Sequence, residues 1–310
     1  MRETLESIYR ASLAPIQPER LIRSGVSLQG QTLRVKGWNS SIDLDTVRQI
    51  FVIGAGKASA TMALALEQIL GDRITGGTIA TKVGHGKSLK RIEVIEAGHP
   101  FPDSESQRAA HAVMEHCRCA DERTLVIGLI SGGGSALLSA PLLETDEKES
   151  MPLKLDDKRK VTELLLSCGA TIQEINCVRK HLSLIKGGRL AALIHPARSL
   201  NLILSDVVGD RLDTIASGLT SPDPTTYADA LVITDRYGIT ASLPAAALRL
   251  LQMGCDGRIP ETAKPGSKEL ENVNNILLGS NLSSLIAAQK EAQAQGWHTL
   301  TLSSQIVGEA

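Results

Sequence analysis

Short apolar runs alternate with longer stretches of helical spacing along most of the chain. Residues 50–53 (IFVI) form a continuous apolar run, which is typical of a strand buried in a parallel sheet. Residues 57–70 follow, and their apolar positions recur at the spacing of a helix. Similar runs predict further strands at 77–81, 92–96, 125–130 and 200–204. Strands separated by helices predict an α/β fold that is Rossmann-like, with a mostly parallel sheet and helices on both faces.

The strand-and-helix pattern is interrupted by the polar residues 258–274, which contain two prolines. Such punctuation is typical of a connecting segment. We therefore predict a Rossmann-like domain over residues 1–257 and a linker over 258–274. A further strand, turn and helix (NILLGSNLSSLIAAQ) follows the linker and predicts an incomplete second α/β domain over residues 275–310.

The composition narrows the classes of function. The chain of 310 residues has a net charge of −1 and 2% aromatic residues, so we expect no nucleic-acid partner. No run approaches the ~20 apolar residues that a membrane span needs, and the N-terminal residues lack the apolar segment of a signal peptide. Five irregularly spaced cysteines are typical of reduced thiols, so we expect a cytoplasmic protein without membrane attachment. The sequence leaves open whether the protein forms a homo-oligomer.

Two glycines and a lysine follow the first apolar run, namely Gly54, Gly56 and Lys57. A glycine turn between strand and helix exposes backbone N–H groups at the positive end of the helix dipole, which attracts phosphate. The spacing also matches the dinucleotide pattern G-x-G-x-x-A, but Thr81-Lys82 stand where an acid should bind the ribose about 20 residues on. We therefore predict polyanion binding rather than NAD binding, with close strand–helix packing as the alternative role of the glycines.

A second glycine-rich turn, SGGGS, directly follows the apolar run at 125–130. Its residues are Ser131, Gly132, Gly133, Gly134 and Ser135. Ordering three successive glycines is entropically unfavourable, and such turns often expose N–H groups that bind an anion. The sequence predicts substrate or phosphate binding here, with a tight strand–helix turn as the alternative.

A basic cluster consists of Arg179, Lys180, Lys186 and Arg189, within stretches of helical spacing near 172–185 and 189–194. The cluster leads into two glycines, which favours anion binding by Arg179 and Lys180. A solvated helix face is an equally good interpretation of such a run.

Two carboxylates, Asp206 and Asp210, follow the apolar run at 200–204. A carboxylate at the carboxyl end of a strand can accept a proton from a substrate hydroxyl or bind Mg²⁺. A helix cap or turn is the alternative role. The histidines, including His99 and His181, have no nucleophile at triad spacing, so we expect structural roles for them.

Several motifs in order resemble those of the type II glycerate kinases (glycerate 2-kinases, sometimes labelled hydroxypyruvate reductases). They are VIGAGKAS, EAGHPFPD, ISGGGSALL, INCVRKHLSLIKGGRLA and SDVVGDRLDTIASGLTSPDPTT, with a weaker match from NILLGSNLSSLIAAQKEAQAQGW to VGEA. The resemblance implies ATP-dependent phosphorylation of D-glycerate to 2-phosphoglycerate, with Mg²⁺. It implies that Lys57 is the catalytic lysine and Asp206 its acidic partner, with SGGGS in the substrate cleft and the VRKHLS segment nearby. Asp210 is then the expected metal ligand.

The sequence departs from the family pattern in two places. Leu219 stands where the family usually has proline, and residues 1–310 end before the MOFRL region, whose arginine the family uses in catalysis. An NAD(P)H-dependent hydroxypyruvate reductase is the alternative enzyme, and a non-catalytic phosphosugar- or nucleotide-binding module is the alternative without chemistry.

Overall fold

The computed structural model describes residues 1–142 and 151–306, so the VGEA segment lies outside the described residues. The strands in these residues are β1 (Val26–Gln29), β2 (Thr32–Val35), β3 (Ser41–Asp43), β4 (Gln49–Ala55), β5 (Gly76–Lys82), β6 (Glu93–Ala97), β7 (Thr124–Ile130), β8 (Arg198–Leu204) and β9 (Val273–Gly279). The α-helices are α1 (Arg2–Leu13), α2 (Pro18–Gly25), α3 (Ser59–Leu70), α4 (Ser104–Arg118), α5 (Gly134–Leu137), α6 (Leu155–Ser167), α7 (Ile172–His181), α8 (Arg189–Ile194), α9 (Tyr227–Arg236), α10 (Ala245–Cys255) and α11 (Asn281–Ala294).

Six strands form one parallel sheet in the order β6-β5-β4-β7-β8-β9. Counted from β4 along the chain, this is the order 3-2-1-4-5-6 of dinucleotide-binding folds. The predicted Rossmann-like α/β fold with a mostly parallel sheet is confirmed. The chain direction across the sheet reverses between β4 and β7, and ligands of such folds bind outside the carboxyl ends of the strands at this point.

Alternating residues of the sheet fill two cores, one on each face. Ile53 and Val126 pack with α4 and α8 on one face. Val52 and Ile127 pack with α2, α3 and the small antiparallel sheet β1-β2-β3 on the other. Since both faces of each central strand are covered, these strands are continuous apolar runs, which is why the sequence revealed them.

A third core joins the helices α6, α7, α9 and α10 beside the sheet. Leu165, Val178, Tyr227 and Leu250 are buried in it. This helical cluster is built from the segments before and after β8, so it lies within the predicted 1–257 domain. It places α6 and α7 next to the residues that follow β7.

The segment predicted to begin a second domain instead adds a strand to the same sheet. β9 pairs in parallel with β8, with Leu202 opposite Ile276. The predicted linker is also tied to the fold, because Ala263 N–H donates to Gly187 O at 3.1 Å and Asp223 N–H donates to Ala263 O at 2.8 Å. The polar composition of 258–274 therefore marks a surface crossover between two strands of one sheet, and the division at this segment is corrected.

Candidate functional site

The turn after β4 is shaped by the neighbouring strand β7. An ideal Cβ on Gly54 would overlap the Leu129 carbonyl oxygen, and one on Gly56 would overlap the Ser131 hydroxyl. Gly56 also has a φ of +146°, which favours glycine. Close packing therefore accounts for both glycines, in agreement with the alternative interpretation of the sequence. Their contact with a phosphate stays a prediction.

Hydrogen bonds join this turn to the SGGGS loop. Lys57 N–H donates to Gly132 O at 2.9 Å, and Ser131 N–H donates to Ala55 O at 3.1 Å. The Ser131 hydroxyl accepts from Ala58 N–H at 3.0 Å. Because Ser131 is buried, its hydroxyl fixes the two turns against each other. The structure gives this serine an internal contact where the sequence predicted a ligand contact.

Lys57 and Asp206 lie against adjacent glycines of the SGGGS loop. The Asp206 carboxylate, which follows β8, occupies the space that a Cβ on Gly132 would need. The Cε of Lys57 is 3.4 Å from the ideal Cβ position of Gly133. Both charged side chains are exposed. The fold thus brings the two predicted catalytic residues from different strands to one accessible edge of the sheet, beside the β4–β7 switch point.

His99 lies beside Lys57, although the sequence indicated only a structural role for it. Its ring approaches the ideal Cβ position of Gly133 to 2.9 Å. Burial lowers the pKa of His99, and the charges of Lys57 and Lys82 lower it further against the opposing effect of Asp206. His99 is therefore neutral near pH 7, and Lys57 and Lys82 supply the positive charge at this edge.

Three further cations lie near the residues that follow β7, and two of them contact Ser135, the last residue of the SGGGS loop. Lys186 Nζ donates to Ser135 O at 2.8 Å and to Ser135 Oγ at 3.0 Å. Arg179 Nη2 lies 3.5 Å from the same carbonyl oxygen. Lys158 Nζ donates to Ala140 O at 3.3 Å. These contacts bring α6, α7 and the segment before α8 to the end of β7.

Burial shifts the pKa values of these three cations downward. With the nearby charge of Arg179, burial lowers the pKa of Lys158 to about 7. Burial lowers the pKa of Arg179 to about 10. The pKa of Lys186 falls well below its ordinary value, first through burial and then through the charges of Arg179 and Lys158. Each shift arises because a charge in a low-dielectric interior loses its hydration.

The remaining residues of the basic cluster have other partners. Lys180 Nζ lies 3.3 Å from the buried carboxylate of Asp223 and 3.8 Å from that of Asp213. Arg189 Nη2 donates to the Tyr227 hydroxyl at 2.7 Å. The helix α7 ends before Lys186, so the cluster is neither one helix face nor solvated. Its members point to three separate places in the interior.

A serine pair connects the SGGGS loop to the segment after β8. Ser217 Oγ donates to Asn176 Oδ1 at 2.9 Å and accepts from Ser135 Oγ at 2.7 Å. Ala216 and Ser217 have φ values of +50° and +58°, which non-glycine residues rarely adopt. Strained backbone of this kind persists where the surrounding structure enforces it, and it is common at functional sites.

Asp210 lies in the loop after β8, with a φ of +51°. Its N–H donates to Val207 O at 3.0 Å, which is a turn contact. In residues 1–142 and 151–306, no group of three or more His, Cys, Asp or Glu side chains could hold a metal ion. The role of Asp210 as a metal ligand stays a prediction.

Four residues of this region were not among the predicted site residues. The sequence analysis named His99 and Lys82 only in other contexts, and it did not name Lys158 or Ser217. His99 follows β6, whose carboxyl end lies at the same edge of the sheet as that of β4, so strand position could have indicated it. Lys82 is the last residue of β5, which ends at the same edge of the sheet, so strand position could have indicated it as well. No signal in the sequence indicated Lys158 or Ser217, because the contacts of Lys158 with Ala140 and of Ser217 with Ser135 depend on how distant segments pack.

Fold and site together define a Rossmann-like α/β protein in which Lys57, His99 and Asp206 meet at the switch point of the sheet. Residues 4–252 match the family model described as a domain of unknown function, DUF4147. The chain belongs to this family, since the match covers well over half of its length.

Named relatives carry the comparison further. The chain is 40% identical over 302 residues to a glycerate 2-kinase of Pyrococcus horikoshii, covering 97% of this chain and 62% of that protein. It is 43% identical over 259 residues to an Agrobacterium vitis protein provisionally labelled hydroxypyruvate reductase, covering 84% of this chain and 55% of that protein. The crystal structure of Thermotoga maritima glycerate kinase matches with a TM-score of 0.77 at 33% identity, over 95% of this chain and 63% of that one.

The resemblance to glycerate kinases that the motifs indicated is confirmed by these similarities. The chain spans about three-fifths of the relatives it matches, 62% for the P. horikoshii protein. Among the helices of the described residues, none combines the length and apolar character needed to cross a membrane.

Proposed function

We propose that the protein is a kinase that transfers a phosphoryl group from ATP to the 2-hydroxyl of D-glycerate. The observation that carries the proposal is the placement of Lys57 and Asp206 against adjacent glycines at the switch point. The names of the P. horikoshii and T. maritima relatives supply the substrate. Five free cysteine thiols suit the cytoplasmic location that the proposal includes.

Phosphoryl transfer depends mainly on positioning and on neutralising negative charge. Lys57 is exposed at the end of β4 and would neutralise charge on the transferred phosphoryl group. Asp206 would orient the substrate hydroxyl and accept its proton. Neutral His99 and the backbone of Gly132 and Gly133 lie between these two groups, where they would donate to oxyanions.

The residues at this edge fit a magnesium ion of the kind that accompanies ATP. Mg²⁺ is usually held by one or two carboxylates together with substrate phosphates and water, rather than by a cage of protein ligands. The exposed carboxylate of Asp206 would supply such a ligand, and Asp210 is the predicted second one. When bound, the ion would neutralise charge on the phosphates.

Replacement of Lys57 by alanine tests the proposal. ADP formation dependent on D-glycerate is measured on the longest form of the protein that its gene encodes. We expect Lys57→Ala to lower turnover by about 10²–10³-fold, because a preorganised charge facing the transition state is lost. The melting temperature should not change, since the side chain is exposed.

Lys290→Ala is the matched control, because Lys290 is an exposed lysine on α11, outside the site. It should leave both turnover and melting temperature unchanged. Turnover by Lys57→Ala equal to that of the unmodified protein would overturn the assignment of Lys57. Binding of D-glycerate or ATP without turnover in the unmodified protein would favour a binding module instead.

The hydroxypyruvate reductase alternative finds less support. In Rossmann-type NAD sites an acid at the end of the second strand binds the ribose. Here β5 is that strand, and it ends at Lys82. Loss of NADH absorbance on addition of hydroxypyruvate would restore this alternative.

A further inference from the structure

Three cations around Ser135 lack a counter-ion in the described part of the chain. Lys186 is 1% exposed and Lys158 is 8% exposed, while Arg179 is half-buried. Their contacts are with the neutral oxygens of Ser135 and Ala140. Within residues 1–142 and 151–306, none of the three forms an ion pair with a carboxylate.

An arrangement of this kind is unfavourable for the fold alone. Burying an unpaired charge destabilises a protein, and apolar residues of similar size in its place often give an equally stable or more stable fold. Neutral oxygens offset only part of the lost hydration. The cations also repel one another, as the effect of Arg179 on Lys158 and on Lys186 shows. A site built at such a disadvantage suits a ligand that brings negative charge.

The cations retain donors for such a ligand. A lysine ammonium has three N–H donors and an arginine guanidinium has five. In the described residues, Lys186 uses its donors on Ser135 alone, and Lys158 uses them on Ala140. Ser135, Arg179 and Gly133 are half-buried, which leaves an approach from the side of the SGGGS loop.

We propose that Lys158, Arg179 and Lys186 bind the carboxylate group of the substrate beside Ser135. The inference deepens the proposed function and rests on it for the identity of the substrate as D-glycerate. The SGGGS loop then separates two tasks. Lys57 and Asp206 act on the hydroxyl end at Gly132 and Gly133, and the three cations hold the acid end at Ser135.

The geometry favours a carboxylate over a phosphate at these cations. A carboxylate is small and planar, and its two oxygens accept parallel bonds from a guanidinium such as that of Arg179. A nucleotide polyphosphate is large and keeps much of its hydration and metal, which suits the exposed Lys57 and Lys82. The nearly complete burial of Lys158 and Lys186 suits the smaller group.

Calorimetric titration of the protein with D-glycerate at pH 8 tests the inference without turnover. An anion beside lysines of lowered pKa raises that pKa again, so binding should take up protons from the buffer. Titrations in buffers of low and high ionisation enthalpy measure this uptake. We expect Lys186→Met to weaken D-glycerate binding about 10–100-fold, as the loss of a charge-assisted contact would, and to reduce proton uptake.

Three matched measurements accompany this titration. Lys160→Met removes an exposed lysine of α6, two residues from Lys158, and should leave affinity and uptake unchanged. Glycolate, which keeps the carboxylate, should compete with D-glycerate, whereas glycerol, which lacks it, should not. The Lys186→Met protein should melt close to the temperature of the unmodified protein, because removal of a buried unpaired charge offsets the loss of the two bonds to Ser135.

The outcomes separate this inference from the proposed kinase function. Unchanged affinity in both Lys158→Met and Lys186→Met, or displacement by inorganic phosphate and not by glycolate, would overturn the carboxylate site. A fall in melting temperature in Lys186→Met as large as that of Asp223→Asn, which breaks a buried ion pair, would also overturn it, since the lost bonds to Ser135 alone would not have so large an effect. Binding of D-glycerate with proton uptake but without ADP formation would leave the site standing and reject the kinase. Turnover by Lys186→Met with an unchanged KM for D-glycerate would support the kinase and reject the carboxylate site.

Discussion

Two lysines six residues apart, Lys180 and Lys186, are equally buried and differ in their partners. Lys180 is 3% exposed and lies 3.3 Å from the carboxylate of Asp223 and 3.8 Å from that of Asp213. Lys186 is 1% exposed and contacts only the neutral oxygens of Ser135 in the part of the chain that the structure describes. One charge is balanced within the fold, and the other is balanced by no described side chain.

The difference shows how one basic cluster can serve two purposes. The pair of Lys180 with Asp223 fixes the loop after β8, because Asp223 also accepts from Thr225 N–H at 3.0 Å and from its hydroxyl at 2.7 Å. Lys186 fixes Ser135 at the end of the SGGGS loop and has no carboxylate partner among the described residues. Burial alone does not separate the two roles, but the presence of a carboxylate partner does.

Removing Asp223, the nearer carboxylate partner of Lys180, should bring the surroundings of Lys180 closer to those of Lys186. We expect the largest effect on stability from this change. Asp223→Asn leaves the buried ammonium of Lys180 with only the Asp213 carboxylate, 3.8 Å away, so we expect a loss of about 3–4 kcal/mol in the free energy of unfolding. Urea denaturation measures this loss.

The exposed pair of Arg258 and Asp256, 3.3 Å apart, supplies the control for this change. Asp256→Asn should alter the free energy of unfolding by less than about 1 kcal/mol, as is usual for surface ion pairs. Equal effects of the two substitutions would contradict the contrast between Lys180 and Lys186.

The hydrogen bonds that link Lys186, Ser135 and Ser217 can be weakened by a substitution at Ser217. Ser217→Ala removes the hydroxyl that joins Ser135 to Asn176 and leaves the buried Asn176 Oδ1 without its donor. We expect a loss of about 1–3 kcal/mol in the free energy of unfolding. Ser24→Ala, which removes an exposed hydroxyl bonded to Arg20 O, should change it by less than about 0.5 kcal/mol. A smaller effect at Ser217 than at Ser24 would show that these bonds do not hold the loop.

The pH dependence of stability gives the smallest expected effect. The pKa of Lys158 is about 7 in the fold, against 10.5 for an ordinary lysine, so the unfolded chain binds more protons between these values. Stability contributed by this group therefore rises with pH across that interval, by about 1 kcal/mol per pH unit.

Urea denaturation at pH 7.5 and 8.5 measures the rise. The unmodified protein should gain about 1 kcal/mol more over this interval than Lys158→Met, which has no such group. Lys160→Met should follow the unmodified protein. Parallel pH profiles for the unmodified protein and Lys158→Met would show that Lys158 keeps its charge through an internal partner.

The sequence predicted the sheet well because its strands are buried on both faces. The centres of β4 and β7 are apolar runs next to glycine turns, and β8 is apolar apart from Arg198, Ser199 and Asn201. The domain division failed at 258–274 because polar composition is common to linkers and to surface crossovers. Only the pairing of β9 with β8 distinguishes the two.

The site was predictable where it depends on strand ends and not where it depends on helix packing. Lys57 and Asp206 follow β4 and β8, so parallel topology alone places them at one edge. Ser131 and Lys180 were also predicted to bind a ligand, but both are buried and make internal contacts. Sequence spacing does not reveal such burial. Lys158 contacts Ala140, beyond the SGGGS loop, and lies near Arg179 and Lys186 only because α6 and α7 pack together in the third core.

The late entry of β9 into the sheet has a consequence during synthesis on the ribosome. β8 ends at Leu204 and β9 begins at Val273, so the intervening segment with α9 and α10 must be synthesised before β9 can pair with β8. Non-local pairings of this kind form slowly, and an unpaired strand edge is prone to associate with other chains. The nascent protein therefore passes through a period in which β8 offers an open row of amides and carbonyls. Chaperone demand should concentrate in that interval.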